Sequence, residues 1–514
     1  MKNITKLLVA SIMVFSSSNM FAQYTLDWMN PAGDDQKQSV MSTVDSQDNV
    51  IVTGYWQSYQ MFTRKYDISG ELLWEIANAS GINSIYEKSN WINCDVNNNI
   101  YVVGNQYSSG TSYDYPNAIV AVKYSPSGTL LWKTVIPISI LINSQTSFNC
   151  RSVVDANGNL YIGTAITDGA FLYKIDTDGN LIFSNSSIVN APKNFNAIRI
   201  KNNMIVVATG SGTPNVAPVF VWDTSGTLLW TADAVGTLAA DVEIDENENV
   251  YVLSSLYHLI NPITWDYDAR LIKYNSTGSL LWNYNYDFGG YNFTTRMTYV
   301  NNRISAVGYG TASGSISWET FQTDTDGTLL WSAIYNATTF SDEYPSHILA
   351  KPTGEVIVTG VGGPSFDQNN PSFNQMPIVQ YSNAGVQNWI STPNIYGGTG
   401  LATSLASDGS LFAISSRNMY VYHYYSTPLS TNENLISNKT IITPNPFSDK
   451  VTITLNEINL PSNATIFDVT GKELLSIYLE NTNSELELSS LKRGIYFCQL
   501  HSNGRIETIK IIKK

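Results

Sequence analysis

The residues from which a reaction centre could be drawn are few. His258, His347, His423 and His501 are the four histidines, and their positions show no metal-ligand spacing. No Gly-x-Ser-x-Gly elbow, phosphate loop or adjacent cysteine pair occurs. Three acidic phrases, DTDGN at Asp176 to Asn180, DTDG at Asp324 to Gly327 and DENEN at Asp245 to Asn249, have the donor density of calcium loops. None continues to the distant glutamate that a complete EF-hand loop requires, and Asp or Asn in such places also caps a turn by accepting from its own backbone. The reading is therefore no catalytic residue and no required cofactor, with calcium the one ion these turns admit. Acids on separate strands that converge in space stay open.

The elements that would position any site are given by a repeat. DISGELLW (67 to 74), SPSGTLLW (125 to 132), DTDGNLIF (176 to 183), DTSGTLLW (223 to 230), NSTGSLLW (275 to 282), DTDGTLLW (324 to 331) and SNAGVQNW (382 to 389) each place a glycine four residues before an aromatic. The glycines follow one another at 58, 51, 47, 52, 49 and 58 residues, a period suited to a four-stranded propeller blade. Upstream of the turns lie strand–turn–strand phrases such as VDSQDNVIVTG (44 to 54) and CDVNNNIYVVG (94 to 104). Each unit therefore reads as strands A to D, with the aromatic in outermost strand D.

After Trp389 the chain makes strands A to C once more without a glycine-to-tryptophan phrase, while Trp28 lies 46 residues before Trp74. The N-terminal strand is thus expected to complete the last of eight blades, which removes free sheet edges. Trp28, Trp74, Trp132, Phe183, Trp230, Trp282, Trp331 and Trp389 are the structural aromatics, expected to fill the wedge between blades. The phrase resembles the tryptophan-docking motif of eight-bladed quinoprotein-type propellers and, more loosely, bacterial β-propeller repeats. That resemblance implies the fold and leaves function open. The sialidase Asp box differs, since its aromatic follows glycine by three residues. Aligning the repeats on Asp95 and Asp155 puts Cys150 opposite Asn90, so Cys94 and Cys150 stand on the order of 13 Å apart. No disulfide is expected, and the three cysteines read as small buried apolar residues.

In such a ring the B–C and D–A connections share one face. Long excursions are expected in B–C of blade 2 (Asn105 to Asn117), blade 5 (Ser254 to Asp268) and blade 7 (Val361 to Gln375), and in the D–A segments after Trp74 and Trp132. They carry Tyr107, Tyr113, Tyr115, Tyr257, His258, Trp265, Tyr267, Phe366 and Phe373. These rings either stack on a ligand such as a sugar or pack the loops onto the rim.

The two ends bear on destination. Residues 1–22 carry Lys2 and Lys6, an apolar run from Leu7 to Phe15 and small residues before Ala22, the pattern of a signal peptide. No later segment is apolar enough to span a bilayer. The expected propeller covers 23–426, a polar linker 427–440, and a small antiparallel β-sandwich 441–514. The last segment contains Pro444-Asn445-Pro446-Phe447, then Asp468, Thr470 and Gly471, then Leu488, Leu491, Gly494, Ile495, Tyr496 and Phe497. It closely resembles the C-terminal sorting domain of type IX secretion; Cys498 stands where that pattern usually has a small apolar residue. The resemblance implies the type IX machinery as a partner and a secreted or outer-membrane-surface location.

Charge is uneven. Residues 440–514 hold eight basic and eight acidic side chains, so the central body carries about −16 of the net −14 once Lys2 and Lys6 are set aside. Such a body repels nucleic acid. The expected protein is all-β, monomeric and exported, a non-catalytic binding propeller for polysaccharide or protein. The alternatives are an extracellular enzyme on polymeric carbohydrate, a quinone-dependent oxidoreductase, or a structural scaffold.

Overall fold

The computed structural model describes residues 23–514 except 31–36, 57–59, 79–84, 109–115, 139–148, 167–168, 188–193, 211–215, 235, 237–238, 262–263, 337–342, 363–374, 394–397, 417–418, 428–440, 456–461, 470 and 503–504. The leader expected above lies outside the described residues, as does the expected linker apart from Thr427, which the structure places in the last strand of the first unit. Two compact units contain what is described, one over Gln23–Thr427 and one in the C-terminal segment.

The first unit consists of eight four-stranded antiparallel sheets. Blades 1 to 7 run in chain order: β2 (Lys37–Val44) to β5 (Leu72–Asn78), β6 (Ile85–Cys94) to β9 (Leu130–Pro137), β10 (Cys150–Val154) to β13 (Leu181–Ser187), β14 (Asn194–Lys201) to β17 (Leu228–Asp233), β18 (Ala239–Ile244) to β21 (Leu280–Tyr286), β22 (Asn292–Val300) to β25 (Leu329–Tyr335), and β26 (Tyr344–Ala350) to β29 (Gln387–Ser391). Blade 8 joins β30 (Gly400–Leu405), β31 (Leu411–Ser415) and β32 (Val421–Thr427) to β1 (Gln23–Met29), so the N-terminal strand closes the ring. Tyr24 pairs with Ser426 and Trp28 with His423 across that closure.

Turn chemistry fixes the hairpins. In the A–B turns, Oδ1 of Asp45, Asp95, Asp155 and Asp245 accepts from the amides two and four residues on, at 2.8–3.0 Å. Asp67, Asp176, Asp223, Asn275 and Asp324 do the same in the C–D turns. The oxygens that suggested calcium loops at Asp176, Asp245 and Asp324 thus accept from their own turns, which satisfies amides that would otherwise lack partners. The second oxygen of Asp95, Asp155 and Asp245 accepts from Tyr101, Tyr161 and Tyr251 on strand B. Strand C then lays Lys123, Lys174 and Lys273 over those rings at about 5 Å. The same ammonium groups donate to Thr177, Thr224 and Thr325 carbonyls in the next blade.

Every strand D carries a bulge that the sequence phrase hid. In blade 1, Leu72 pairs with Tyr66 and Trp74 with Lys65, which leaves Leu73 as the extra residue. The same skip falls on Leu131, Ile182, Leu229, Leu281, Leu330 and Asn388, and on Asp27 in the closing strand. A bulge breaks the two-residue alternation. Both leucines of the LLW phrase therefore face solvent, and the aromatic turns toward the neighbouring blade. It sits at the outer rim, where a Cβ on Gly70 would meet Trp28, on Gly128 Trp74, on Gly179 Trp132, on Gly278 Trp230 and on Gly385 Trp331, each within 3.0 Å. The indole nitrogens of Trp28, Trp74, Trp132 and Trp230 donate to the carbonyl two residues before the opposing glycine, at 2.8–3.1 Å. Trp331 is buried, while Trp28, Trp74, Trp132 and Trp230 seal the blade boundary half-buried rather than filling a deep wedge. Trp389, which has no such glycine opposite, packs edge-on to Tyr24 and Tyr424 of blade 8.

Cys94, Cys150 and Cys498 form no disulfide; Cys150 and Cys498 are buried, while Cys94 is only half-buried. Asn90 Nδ2 donates to Cys150 Sγ at 3.3 Å, the pairing that the repeat alignment gives.

In the second unit, β33 (Ile441–Thr443), β34 (Lys450–Thr454) and β37 (Asn483–Glu487) form one sheet, and β36 (Glu473–Leu479), β35 (Ser462–Phe467), β38 (Gly494–Ser502) and β39 (Arg505–Lys513) form the other. Phe447, Val451, Ile466, Leu486, Cys498 and Ile511 share their core. Asn445 fastens the Pro444–Phe447 segment to the last strand, donating to Lys510 O at 2.8 Å and accepting from Ile512 N at 3.0 Å.

Gly179→Ala and Gly409→Ala separate backbone strain from blade docking. Both glycines have positive φ, 91° and 83°, which costs an L-residue about 1–2 kcal/mol. A Cβ meets Trp132 at 2.8 Å at the first and nothing within 4 Å at the second. Urea unfolding should show Gly179→Ala losing about 1–3 kcal/mol more than Gly409→Ala.

Candidate functional site on the loop face

Strands A begin, and strands B end, on the face where the B–C and D–A connections meet. Blade 5 departs there from the expected loop: β19 (Val250–Asn261) and β20 (Thr264–Tyr274) continue as a paired hairpin through the Ser254 to Asp268 excursion. The segment stays extended because Leu256, Tyr257, His258 and Leu259 find cross-strand partners in Asp268, Tyr267, Asp266 and Trp265.

This hairpin starts an aromatic run across three blades. The rings of Tyr257 and Tyr267 lie 5.1 Å apart, and Tyr267 lies 4.2 Å from Phe293 at the start of blade 6. Phe293 stacks on Tyr309 at 5.2 Å and 18°, and Tyr309 meets Tyr344 of blade 7 edge-on at 5.0 Å. Tyr291 joins from the D–A connection at 6.0 Å from Tyr267 and is 40% exposed. The other five rings are half-buried, so the run offers apolar surface while its members brace one another.

Of the aromatics expected to bind, Tyr257 and Tyr267 belong to this run. Tyr107 does not: it is buried in β7 (Ile100–Ser108), with Lys88 Nζ 5.5 Å from its ring. Trp265 lies in β20, but its side chain lies outside the described residues, as do Tyr113, Tyr115, Phe366 and Phe373. The D–A segments 79–84 and 139–148 do too. Sequence reasoning missed Tyr291, Phe293, Tyr309 and Tyr344 because it looked to loops. Three of these four occupy strand ends, and a search of the ends of strands A and B for aromatics would have found them.

A carboxyl beneath the run holds it in place. Glu319, buried in β24 (Ser317–Asp324), accepts from Asn292 Nδ2 at both oxygens, 3.0 and 2.9 Å. Asn292 lies between Tyr291 and Phe293, and its Oδ1 accepts from Phe288 N at 3.2 Å. Burial pushes the Glu319 carboxyl up to about 7; Asn292 opposes the shift and Asp287 adds to it.

On the blade 5 hairpin, ligand atoms of His258, Asp266 and Asp268 lie within 4.8 Å of one another. Asp266 faces His258 across the pair, and Asp268 Oδ2 is 3.8 Å from His258 Nδ1. Burial raises the Asp268 carboxyl; His258 counters that, while Asp287 and Asp266 add to it. An imidazole with two carboxylates is a donor set that fits a divalent cation, and it lies away from the turns where calcium is admitted from sequence.

Residues 441–514 match the family model described as secretion system C-terminal sorting domain. No curated protein matches the chain in sequence. Among solved structures, the Dos1 propeller aligns at 10% identity over 78% of this chain and 95% of that one, with a TM-score of 0.51. Sqt1 from Chaetomium thermophilum aligns at 9% identity over 79% of this chain and 100% of that one, with a TM-score of 0.49. The eight sheets and the first of these likenesses define the class as a β-propeller. The chain is, more particularly, a propeller carrying a type IX sorting domain, which directs it to the cell surface or the exterior and implies engagement of that secretion machinery. Among the described residues no helix is long and apolar enough to cross a membrane.

The raised Glu319 carboxyl has a pH signature. A group whose folded value lies above its unfolded value adds stability below the unfolded value, near 4.5, and loses it as pH rises through about 7. Glu319→Gln, which stays neutral, should therefore gain on the native protein between pH 5 and pH 8, by on the order of 1–3 kcal/mol. Melting curves across that range check the widening gap.

Proposed function

We propose that this is a non-catalytic extracellular binding protein whose propeller holds a neutral glycan on the loop face over blades 5 to 7. The observation that carries the reading is the aromatic run from Tyr257 to Tyr344, six rings in succession on the face where propeller connections converge. Pyranose rings present axial C–H groups to aromatic surface, and their hydroxyls take hydrogen bonds from flanking polar groups. Asp266, Asp268 and Asp287 supply acceptors beside the run. Rings braced by neighbours lose little entropy on binding, which favours a preformed platform.

Burial raises the Asp268 carboxyl and pushes that of Glu319 up to about 7, the range of a general acid. Its two oxygens are occupied by Asn292, which suits a positioning residue better than a proton donor. Export by the type IX route supplies polymers and surface glycans as the available ligand class.

The test is pull-down of the exported protein on insoluble cellulose, xylan, β-1,3-glucan and α-mannan, with and without calcium or zinc, while reducing ends are assayed. The reading expects saturable binding to at least one polymer without product. Tyr267→Ala and Tyr309→Ala should each weaken it tenfold or more, with unchanged circular dichroism. Release of reducing ends would replace this reading with an enzyme. Binding that ignores both substitutions would remove the aromatic run from it.

A further inference from the structure

The propeller axis carries a second feature that the aromatic run does not explain. Strands A of blades 1, 2, 3, 6, 7 and 8 enclose a cavity of about 220 Å³, lined among others by Asn90, Trp91, Arg151, Arg296, Ser346 and His347. Arg151 and Ser346 lie in the first half of their strands A, Arg296 and His347 at the middle of theirs, and Asn90 and Trp91 just beyond it, so the cavity is lined by the middle stretch of the innermost strands. Its charge is opposite to that of the acidic body.

Three guanidinium groups gather here and in the adjoining blades, Arg151, Arg199 and Arg296, against the carboxyls of Asp241 and Glu243. Arg199 takes both acids, at 3.1 Å to Asp241 and 3.0 Å to Glu243. Asp241 is further committed to the amides of Val242 and Met297, at 3.0 and 3.2 Å. Among the described residues neither Arg151 nor Arg296 reaches a carboxylate within ion-pair distance. Arg151 lies 4.8 Å over the Trp91 ring, and Arg296 donates to the carbonyl of Thr295 at 3.0 Å. Five donors on each guanidinium are far from satisfied by such partners.

Burial lowers the basicity of both Arg151 and Arg296; Arg296 and Arg199 add to this at Arg151, Arg199 adds to it at Arg296, and the carboxyl of Asp241 opposes it at both. Burial, then Arg296, lowers His347 to about 4, so this ring is neutral and adds no charge of its own. Its Nδ1 meets Thr403 Oγ1 at 3.1 Å and Thr403 N at 3.4 Å; with Nδ1 accepting from both, the ring proton sits on Nε2 as one more donor. Two guanidiniums without an ion pair and a neutral imidazole around one small cavity are a donor-rich set, and the carboxylate that acts on both, Asp241, is held by Arg199 and two amides.

We infer that the channel is a binding site for one anionic group, a carboxylate or sulfate, free or carried on a unit no larger than a uronic acid residue, held between Arg151 and Arg296. A planar guanidinium accepts such a group through paired N–H donors, and an enclosed cavity strengthens that pairing relative to water. The site is distinct from the aromatic run and stands without it. The group's source is either an acidic sugar of a polymer or a free small anion.

Isothermal titration of the whole exported protein at low ionic strength tests this, with sodium glucuronate and sodium sulfate as probes and glucose as the uncharged comparison. At least one anion is expected to bind saturably, and glucose, of similar size but uncharged, is not. Arg151→Gln and Arg296→Gln should each weaken anion binding at least tenfold, while Tyr267→Ala leaves it unchanged. Loss of glycan retention with anion binding intact therefore separates failure of one reading from failure of the other. Arg151→Met guards against misfolding as the cause: it should melt no lower than the native protein, having lost a half-buried cation that lacks an ion pair, yet show no rise in melting temperature with glucuronate. Competition by polygalacturonate would assign the site to an acidic polymer, and its absence, with glucuronate bound, to a free anion. Failure of both anions to bind, or binding that survives both arginine substitutions, overturns the inference.

Discussion

Everything in this propeller depends on how one blade meets the next at its outer rim. A strand D aromatic reaches across the boundary to a glycine that cannot carry a side chain there, and the indole nitrogens of Trp28, Trp74, Trp132 and Trp230 bond a carbonyl of the same turn. The lysine of strand C makes a parallel link to the next blade, and the Asp–Tyr pair ties that lysine back to its own A–B turn. A short polar network thus sets the interval from blade to blade, and hydrophobic burial between strands B and C then supplies most of the stabilisation. Because the network occupies the rim and the A–B side, the opposite face is left for variation.

That division explains why departures from the repeat cluster where they do. Blade 5 extends its B–C hairpin by continued pairing, and blades 6 and 7 place Phe293, Tyr309 and Tyr344 at strand ends, with Tyr291 in the connection before Phe293. Glu319 and Asn292 hold the entry to blade 6, at the cost of keeping a carboxyl in a poor environment for its charge. The channel arginines depart in another sense, since Arg151 and Arg296 come from blades that are not neighbours and meet only because the ring closes.

Much of the architecture could be read from residues alone. Fixed glycine-to-aromatic spacing gave the blades, and Trp28 alone identified the strand that closes them; its bulge at Asp27 matches the one in every other strand D. The Pro444–Phe447 segment and the glycine-punctuated strands after it pointed to the sorting domain. The bulges themselves were not legible, because LLW reads as alternation broken by nothing more than a doubled leucine. The site was legible only in part. Tyr257 and Tyr267 lie in an excursion that long loops advertise, whereas Phe293 and Tyr309 look like ordinary strand residues until neighbouring blades bring them together. Tyr107 shows the converse: an aromatic next to a long connection that turns inward.

The central claim is that the loop face over blades 5 to 7 is the working surface. Hydrogen–deuterium exchange of the exported protein, with and without the polysaccharide that retains it most strongly, locates the contact directly. Slowed exchange confined to 254–268, 287–311 and 343–349 is the result this account predicts. Protection concentrated instead in the A–B turns, or along the leucine-bearing outer strands, would contradict it.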